Sequence, residues 1–206
     1  MIVTVDGPVA AGKGTLARRL AKHFGFHYLD TGALYRAVAH RLLAAGEDPS
    51  DAAAAVRAAR ALTPEELDNP GLRAEGVGEA ASIVSAHPAV RAALLAYQRR
   101  VAAKPPGAVL DGRDIGTVVC PEADVKLFVT ASVEARARRR IRELEAQGAA
   151  VDEAQVLAAL ERRDARDSAR AVAPLKPAAD AHLLDTSKMD IETAFRAAQD
   201  IVASRV

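Results

Sequence analysis

A short apolar segment, Ile2–Asp6, runs directly into a glycine-rich loop and then into a helix-forming stretch. The loop has the spacing of a phosphate-binding P-loop, in the strand–loop–helix context that such a loop needs. Its glycines let successive backbone N–H groups turn inward, and the helix N-terminus adds positive potential for a polyphosphate. The residues predicted to bind the triphosphate are Gly7, Pro8, Val9, Ala10, Ala11, Gly12, Lys13, Gly14 and Thr15. An ordinary glycine-rich turn is the alternative interpretation.

A P-loop indicates a nucleoside triphosphate but no particular reaction. GTPases read guanine with an Asn-Lys-x-Asp motif, and the only asparagine here, Asn69, precedes a proline, which excludes the standard GTPase motif. The net charge of +1 falls short of the basic balance expected of a nucleic-acid binder. The single cysteine, Cys120, excludes an internal disulfide and a cysteine-based zinc site. The chain opens directly on a strand and has no long apolar run, so we expect a cytoplasmic protein without a membrane span.

Short β-rich runs alternate with longer helical stretches along the chain. Strands are predicted at Ile2–Asp6, His27–Leu29, Ala108–Asp111, Val125–Thr130 and His182–Leu184. Helices are predicted at Lys13–Phe24, Ala33–Ala45, Ser50–Ala61, Gly78–Ala86, Ala89–Ala103, Ser132–Gln147, Asp152–Arg170 and Ile191–Ser204. This alternation predicts an α/β fold with a five-stranded parallel sheet flanked by helices. Ligands of such sheets bind beyond the carboxyl ends of the strands.

Two helical excursions interrupt the alternation. The first lies between the second and third strands and contains one irregular patch, Thr63–Gly78, with a strong turn signal at Asp68–Gly71. It is too long for a simple crossover and is interpreted as a subdomain. The second excursion, Gly148–Arg170, precedes the last strand.

Charged residues follow the second and third predicted strands. Thr31 can cap the next helix, and Arg36 lies where it could hold an anion at that terminus. Asp111 ends the third strand, where an acid commonly holds Mg²⁺ through water. Arg113 could bind an acceptor phosphate and Asp114 could accept from a hydroxyl. A plain cap, a solvated arginine and an ion-pair cluster are the alternatives.

Three arginines, Arg163, Arg166 and Arg170, have the spacing of one helix face. Like charges at that spacing are destabilising by ~0.2–0.5 kcal/mol per pair, so stability offers no clear reason to align them. Phosphoryl transfer does, because arginines from a mobile element stabilise the charge on the transferring group. We therefore predict a lid here, with a solvated charged helix as the alternative.

A basic run follows the fourth strand, from Arg136 to Arg142. It could suggest a nucleic-acid patch. Because almost no aromatic residues are interleaved to stack bases, we prefer ATP binding, through Arg136 and Arg140, with the other face solvated.

Four ordered motifs together resemble the bacterial cytidylate (CMP) kinase family across nearly the whole chain. They are GPVAAGKGT, LDTGALYR, LDGRDIGTVVCPEADVKLF and RRDARDSARAVAPLKPAAD. The resemblance implies a core at 1–30, 104–147 and 171–206, a nucleotide-monophosphate-binding subdomain at 31–103 and a lid at 148–170. It also implies Mg·ATP as donor, CMP and dCMP as acceptors, and a monomer.

The resemblance further implies individual roles. The residues implied for CMP are Thr31, Arg36, Ser82, Arg91, Arg113, Asp114, Asp167 and Arg170. Of these, Ser82 and Arg91 would read the cytosine, an assignment that spacing alone does not make. Lys13, Arg163, Arg166 and Arg170 would act on the transferring phosphoryl group. One departure is that Thr63–Gly78 is shorter and less β-like than the corresponding insert of many bacterial members.

Two other interpretations stay open. The acceptor could be UMP, AMP or a non-nucleotide such as shikimate, with the same chemistry. A P-loop protein that binds ATP and signals without turnover is the interpretation from a different class, although a sensor has no need of a second anion site.

Overall fold

The computed structural model describes residues 1–74, 76–146 and 148–205. The strands are β1 Ile2–Asp6, β2 His27–Asp30, β3 Ala108–Gly112, β4 Val125–Thr130 and β5 His182–Asp185. The helices are α1 Lys13–Phe24, α2 Thr31–Ala44, α3 Ala52–Arg60, α4 Val77–Val84, α5 Pro88–Ala102, α6 Val133–Ala146, α7 Glu153–Ser168 and α8 Ile191–Ala203. Short 3₁₀ segments occupy Pro64–Asp68 and Pro70–Arg73, and a π-helical turn occupies Ile115–Val119.

The strands form one sheet in the order β2-β3-β1-β4-β5. Strand β1 pairs parallel with β3 and β4, and β4 pairs parallel with β5. The predicted five-stranded parallel core is therefore confirmed. Because β1 is central, the loop that follows it leaves from the middle of the carboxyl edge, where α/β sheets bind ligands.

Two compact units divide the chain, one made of residues 1–28 and 102–206 and the other of residues 29–101. In the first unit, valines of the sheet pack against the apolar face of α1 and against α8; its core includes Val3, Val5, Leu16, Leu20, Val109, Leu127, Val129 and Val202. The second unit is helical, and its core is rich in small side chains; it includes Leu34, Val38, Leu42, Ala54, Ala55, Ala80, Val84 and Leu94.

The predicted boundaries of strands and helices agree with the structure to within two residues, but one capping prediction is wrong and one helix ends before a residue that it was predicted to carry. Thr31 is the first residue of α2 and not its cap, because the Asp30 carboxylate accepts from the Ala33 N–H at 3.1 Å. Helix α7 ends at Ser168, so Arg170 lies beyond the helix that was predicted to carry it. The chain turns back there, since the Leu175 N–H donates to the Asp167 carbonyl at 2.9 Å.

The patch predicted as irregular contains the two 3₁₀ segments, and Arg41 holds the first through a bidentate pair with Glu66 at 2.5 and 3.0 Å. Glu75 within that patch, Gln147 at the end of a predicted helix and Val206 at the end of the predicted core lie outside the described residues. Among the helices of the described ranges, none is long and apolar enough to cross a membrane.

Candidate active site

The P-loop joins β1 to α1 as predicted, in a conformation that only particular residues allow. Gly7 has φ +147°, and a Cβ there would lie 1.9 Å from the Val129 carbonyl oxygen. Gly12, the residue before α1, has φ +90°. Both positions favour glycine for that reason. Between them the backbone closes around the buried Lys13, whose Nζ donates to the Pro8 carbonyl at 2.8 Å.

Lys13 carries an electrostatic penalty in this site. Burial, followed by the positive charge of Arg113, lowers its pKa from 10.5 to about 7, and Asp111 and Asp6 oppose that change. A charged ammonium is therefore poorly stabilised by the protein alone. An anion at the loop would raise the pKa of Lys13 and complete the site.

Asp111 lies beside this loop. Its Oδ2 accepts from the Tyr28 hydroxyl at 2.6 Å, and a Cβ on Gly14 would lie 3.3 Å from the same oxygen. A side chain at position 14, where the commonest P-loop pattern has Ser or Thr, would therefore crowd the Asp111 carboxylate. A single carboxylate beside a phosphate-binding loop suits Mg²⁺, which is usually held by one or two carboxylates, substrate phosphates and water.

Arg113 and Arg170 meet at one buried carboxylate. Arg113 Nε donates to Asp167 Oδ2 at 2.9 Å, and Arg170 Nη2 donates to Asp167 Oδ1. Burial raises the pKa of Asp167, but the charges of Arg113, Arg170 and Arg163 outweigh it and hold the pKa below its ordinary value. The carboxylate thus stays ionised and orients two guanidiniums near each other.

Arg136 links α7 to the P-loop. Its Nη2 pairs with Asp164 of α7 at 2.6 Å, and its Nη1 donates to the Val9 carbonyl at 3.3 Å. A third bond, from Nε to the Ala131 carbonyl at 3.0 Å, fixes the buried side chain. Arg163 and Arg166 lie on the same helix α7. The positive charge of Arg163 acts on both Lys13 and Asp167.

In the 29–101 unit, the start of α2 carries the predicted anion-binding arginine. Arg36 Nη2 pairs with Asp30 at 2.7 Å, and a Cβ on Gly32 would lie 3.0 Å from both side chains. Thr31 is buried at the first position of the helix.

Ser82 has an unusual environment in the same unit. Its side chain is buried, at 2% exposure, and its Oγ has no hydrogen-bond partner in the part of the chain that the structure describes. Arg91 is connected to it through Ser85, whose carbonyl accepts from Arg91 at 3.3 Å and whose Oγ donates to the Ser82 carbonyl at 2.9 Å. A buried hydroxyl without a partner is destabilising by about 1–3 kcal/mol, so a ligand that pairs with it gains correspondingly.

Comparisons with known proteins show the family to which the chain belongs. The family model described as cytidylate kinase matches residues 3–203. The chain belongs to the cytidylate kinase family. Curated cytidylate kinases are similar to it over nearly its whole length: one from Nitrobacter winogradskyi is 60% identical over 204 residues, covering 99% of this chain and 96% of the relative. Another, from Rhodopseudomonas palustris, is 59% identical over 202 residues, covering 98% and 95%.

A crystal structure of an uncharacterized protein from Eubacterium ventriosum has a TM-score of 0.57 at 16% identity, covering 100% of this chain and 99% of that chain. This likeness concerns the fold alone. The predicted membership of the cytidylate kinase family is therefore confirmed by the family model and the curated relatives.

Sequence reasoning missed one residue at the P-loop of this cytidylate kinase family member. Arg139, and not Arg140, contacts the loop beside Arg136: its Nη1 donates to the Ala11 carbonyl at 3.2 Å and its Nη2 to the Thr186 carbonyl at 2.6 Å. Arg140 pairs with Glu143 at 3.1 Å and is 42% exposed, and its role at ATP stays a prediction. The signal that could have found Arg139 is its helical spacing of three from Arg136.

Arg139 also lines a cavity of about 170 Å³ next to the loop, together with Ala135, Arg138, Arg142, Ser187 and Met189. Guanidiniums beside an apolar methionine offer both charge and stacking surface to a purine nucleotide. The cavity lies on the side of the loop where α6 begins.

Proposed function

We propose that this chain is an enzyme that transfers the γ-phosphoryl group of ATP to CMP, giving CDP and ADP. The observation that carries the proposal is the identity of about 60% to curated cytidylate kinases over 99% of the chain. The P-loop, the buried Lys13 and the acid beside them support a triphosphate donor.

The chemistry is a direct in-line displacement. A phosphate oxygen of CMP forms a bond to the γ-phosphorus as the bond to the β–γ bridging oxygen breaks, and ADP leaves with that oxygen. No covalent enzyme intermediate is needed, because positioning and charge stabilisation supply most of the catalysis. At ~4 Å and an effective dielectric constant near 20, each cation–anion contact is worth on the order of 4 kcal/mol, against ~1 in water.

On the donor side, we propose that the Gly7–Thr15 loop holds the triphosphate, with Lys13 at the β- and γ-phosphates. Arg136 and Arg139 support the loop from α6, and their bonds to the Val9 and Ala11 carbonyls favour this role. Asp111 would hold Mg²⁺ through water, and the ion would neutralise charge on the phosphates.

On the acceptor side, we propose that Thr31, Arg36 and Arg113 bind the phosphate of CMP, with Asp114 at the sugar. The buried, unpartnered Ser82 hydroxyl supports its assignment to the cytosine edge, together with Arg91. Asp167 and Arg170 complete this set, and their mutual bond supports a joint role. Arg163 and Arg166, with Arg170, stabilise the transferring phosphoryl group.

The predicted organisation is part of the proposal: residues 31–103 bind the nucleoside monophosphate and 148–170 form a lid that excludes water during transfer. We also propose that dCMP is accepted, as the resemblance to the cytidylate kinase family implies. We further propose a cytoplasmic monomer without a nucleic-acid partner; the near-neutral net charge of +1 supports the last of these.

A coupled ADP-release assay with Mg·ATP and CMP, dCMP, UMP, AMP, GMP, dTMP or shikimate tests the proposal, with chromatographic detection of the diphosphate product. Fast turnover confined to CMP and dCMP is the expected result. Preference for another acceptor would overturn the cytosine assignment while keeping the donor site. If no acceptor supports ADP release although ATP still binds, the result would favour the ATP-binding sensor.

A further inference from the structure

Asp6 occupies the junction between the central strand and the P-loop, and the mechanism above does not use it. It is the last residue of β1, immediately before Gly7, and is only 5% exposed. Both of its carboxylate oxygens accept backbone hydrogen bonds from a distant segment. Oδ1 accepts from the Ile115 N–H at 2.9 Å and Oδ2 accepts from the Gly116 N–H at 2.8 Å.

The two donors begin the π-helical turn Ile115–Val119. The first N–H groups of any helical turn have no acceptor within it, and Asp6 supplies acceptor oxygens for the first two of them. Arg113 and Asp114 directly precede this turn. Gly112 lies opposite Asp6 in the sheet, and the Ile115 N–H donates to Asp6. Arg113 and Asp114 therefore lie between two residues that are both held next to Asp6.

The turn also packs directly on the sheet. A Cβ on Gly116 would lie 2.9 Å from Thr4 Oγ1 and 3.2 Å from the Lys126 side chain. A larger residue would therefore lift the turn away from β1 and β4. The position of the turn is set by the Asp6 carboxylate on one side and by this close contact on the other.

Stability alone does not favour a carboxylate at this position. Burial raises the pKa of Asp6 to about 6 although the two N–H groups oppose it; Asp114 adds to the increase and Lys13 opposes it. Asparagine would avoid the buried charge but has only one acceptor oxygen, so its NH₂ group would face a backbone N–H. Glutamate is one methylene longer, so its carboxylate would not keep both bonds at their present lengths without a shift of the side chain or the turn.

We propose that Asp6 is a positioning residue for phosphoryl transfer, because its carboxylate fixes the Arg113–Asp114 segment relative to the P-loop that Asp6 itself begins. The Asp6 side chain would then hold the P-loop, which binds the donor, at a fixed distance from Arg113 and Asp114, which bind the acceptor. The inference rests on the proposed function, in which Arg113 and Asp114 bind the acceptor.

The test is Asp6→Asn, measured by steady-state kinetics with CMP varied and by calorimetric titration with ATP. Misplacement of an acceptor group by about 1 Å can decrease rates by ~10²-fold, so we expect kcat/KM for CMP to fall about 10–100-fold, through both a higher KM and a lower kcat. The Kd for ATP should stay unchanged or decrease, because the substitution removes an anion near the phosphates.

Asp124→Asn is the matched control. Asp124 Oδ2 accepts from the Ile2 N–H at 2.6 Å, at the opposite end of the same strand β1. It therefore makes the same kind of bond to the sheet far from the P-loop, and its variant should keep wild-type kinetics.

If Asp6→Asn folds poorly, Gly116→Ala provides a second test. It displaces the same turn from the other side, so it should lower kcat/KM for CMP in the way expected for Asp6→Asn. Unchanged CMP kinetics in a folded Asp6→Asn protein would overturn the inference, and so would a loss of ATP affinity that accounts for the loss of rate. Failure of the wild type and of Asp124→Asn to form CDP would instead overturn the proposed function, and this inference with it.

Discussion

Two sites, one in each compact unit, differ in how far the protein itself satisfies their buried polar groups. In the unit of residues 1–28 and 102–206, the groups around the P-loop are engaged by the protein itself: Lys13 with the Pro8 carbonyl, Asp6 with two N–H groups and Arg113 with Asp167. In the 29–101 unit, Ser82 keeps a buried hydroxyl with no partner among the described residues. The groups around the P-loop are already oriented to stabilise a charged ligand. Ser82 instead keeps a hydrogen-bonding group that a ligand can satisfy.

The difference has a physical basis in what each region would bind. Polyphosphate is highly charged, and donors that are already oriented need no reorganisation when it arrives. A base edge is neutral and is selected by a few buried hydrogen bonds, whose absence in a wrong ligand is destabilising because the protein group stays unpaired. The three predictions below, from the largest effect to the smallest, test whether this contrast holds.

The largest effect is expected for Lys13→Met, which keeps the side-chain volume and removes the charge. Turnover should fall by at least ~10²–10³-fold, because one preorganised cation is lost from the transferring group. Stability at pH 7 should nevertheless rise, by on the order of 1–3 kcal/mol, since the folded-state pKa of about 7 lies well below the ordinary 10.5. Urea unfolding and the coupled assay measure the two quantities.

The size of this stability change depends on pH. Below about pH 7 Lys13 is protonated in both states and its penalty on folding is complete, and the penalty fades as the pH rises towards 10.5. The gain from Lys13→Met should fade over the same range. Lys22→Met, an exposed position on the same helix α1, is the control. Near-normal turnover in a folded Lys13→Met protein would contradict the mechanism.

A smaller effect is expected for Ser82→Ala. Loss of one hydrogen bond to the base should raise KM for CMP about 3–10-fold, while the free energy of unfolding stays the same or increases, because a buried unpaired hydroxyl is removed. Ser85→Ala is the matched comparison on the same segment: its Oγ donates to the Ser82 carbonyl, so its loss should decrease stability by about 1 kcal/mol. Equal destabilisation by the two variants would remove the contrast between the units.

The smallest expected effect is the uptake of a proton when ATP binds. Lys13 is mostly neutral at pH 8 without ligand, and bound phosphate should restore its charge, so ATP binding should take up about one proton per site. Titration calorimetry in two buffers of different ionisation enthalpy measures this uptake. Lys13→Met should abolish it, and an uptake that persists in the variant would assign the proton to another group.

The P-loop could be predicted from the sequence because its parts are close along the chain, between a strand and a helix that local composition predicts. Asp111 was predicted from its position at the carboxyl end of a strand, and that strand pairs with β1 in the structure. The pairing of Arg113 with Asp167 spans 54 residues, and it was predicted only as a shared ligand role implied by family resemblance.

Local sequence patterns were not sufficient where two neighbouring residues could fill the same position, or where the chain turned at the end of a helix. Asp30 and Thr31 can both cap a helix, and only the structure shows that the Asp30 carboxylate accepts from the Ala33 N–H. Arg139 and Arg140 are adjacent arginines of equal propensity, and which one meets the P-loop depends on how α6 is rotated against it. Helix α7 ends before Arg170 because the Leu175 N–H bonds back to Asp167.

By itself, the sequence determined the alternation of strands and helices, the phosphate-binding loop and the family, since periodicity, glycine placement and motif order are local properties of the chain. Tertiary structure decided which charges are buried and which backbone groups they satisfy. Asp6 and Ile115 are 109 residues apart, and Arg139 and Thr186 are 47 apart. Such bonds arise from packing the sheet and its helices together, and no local pattern in the chain encodes them.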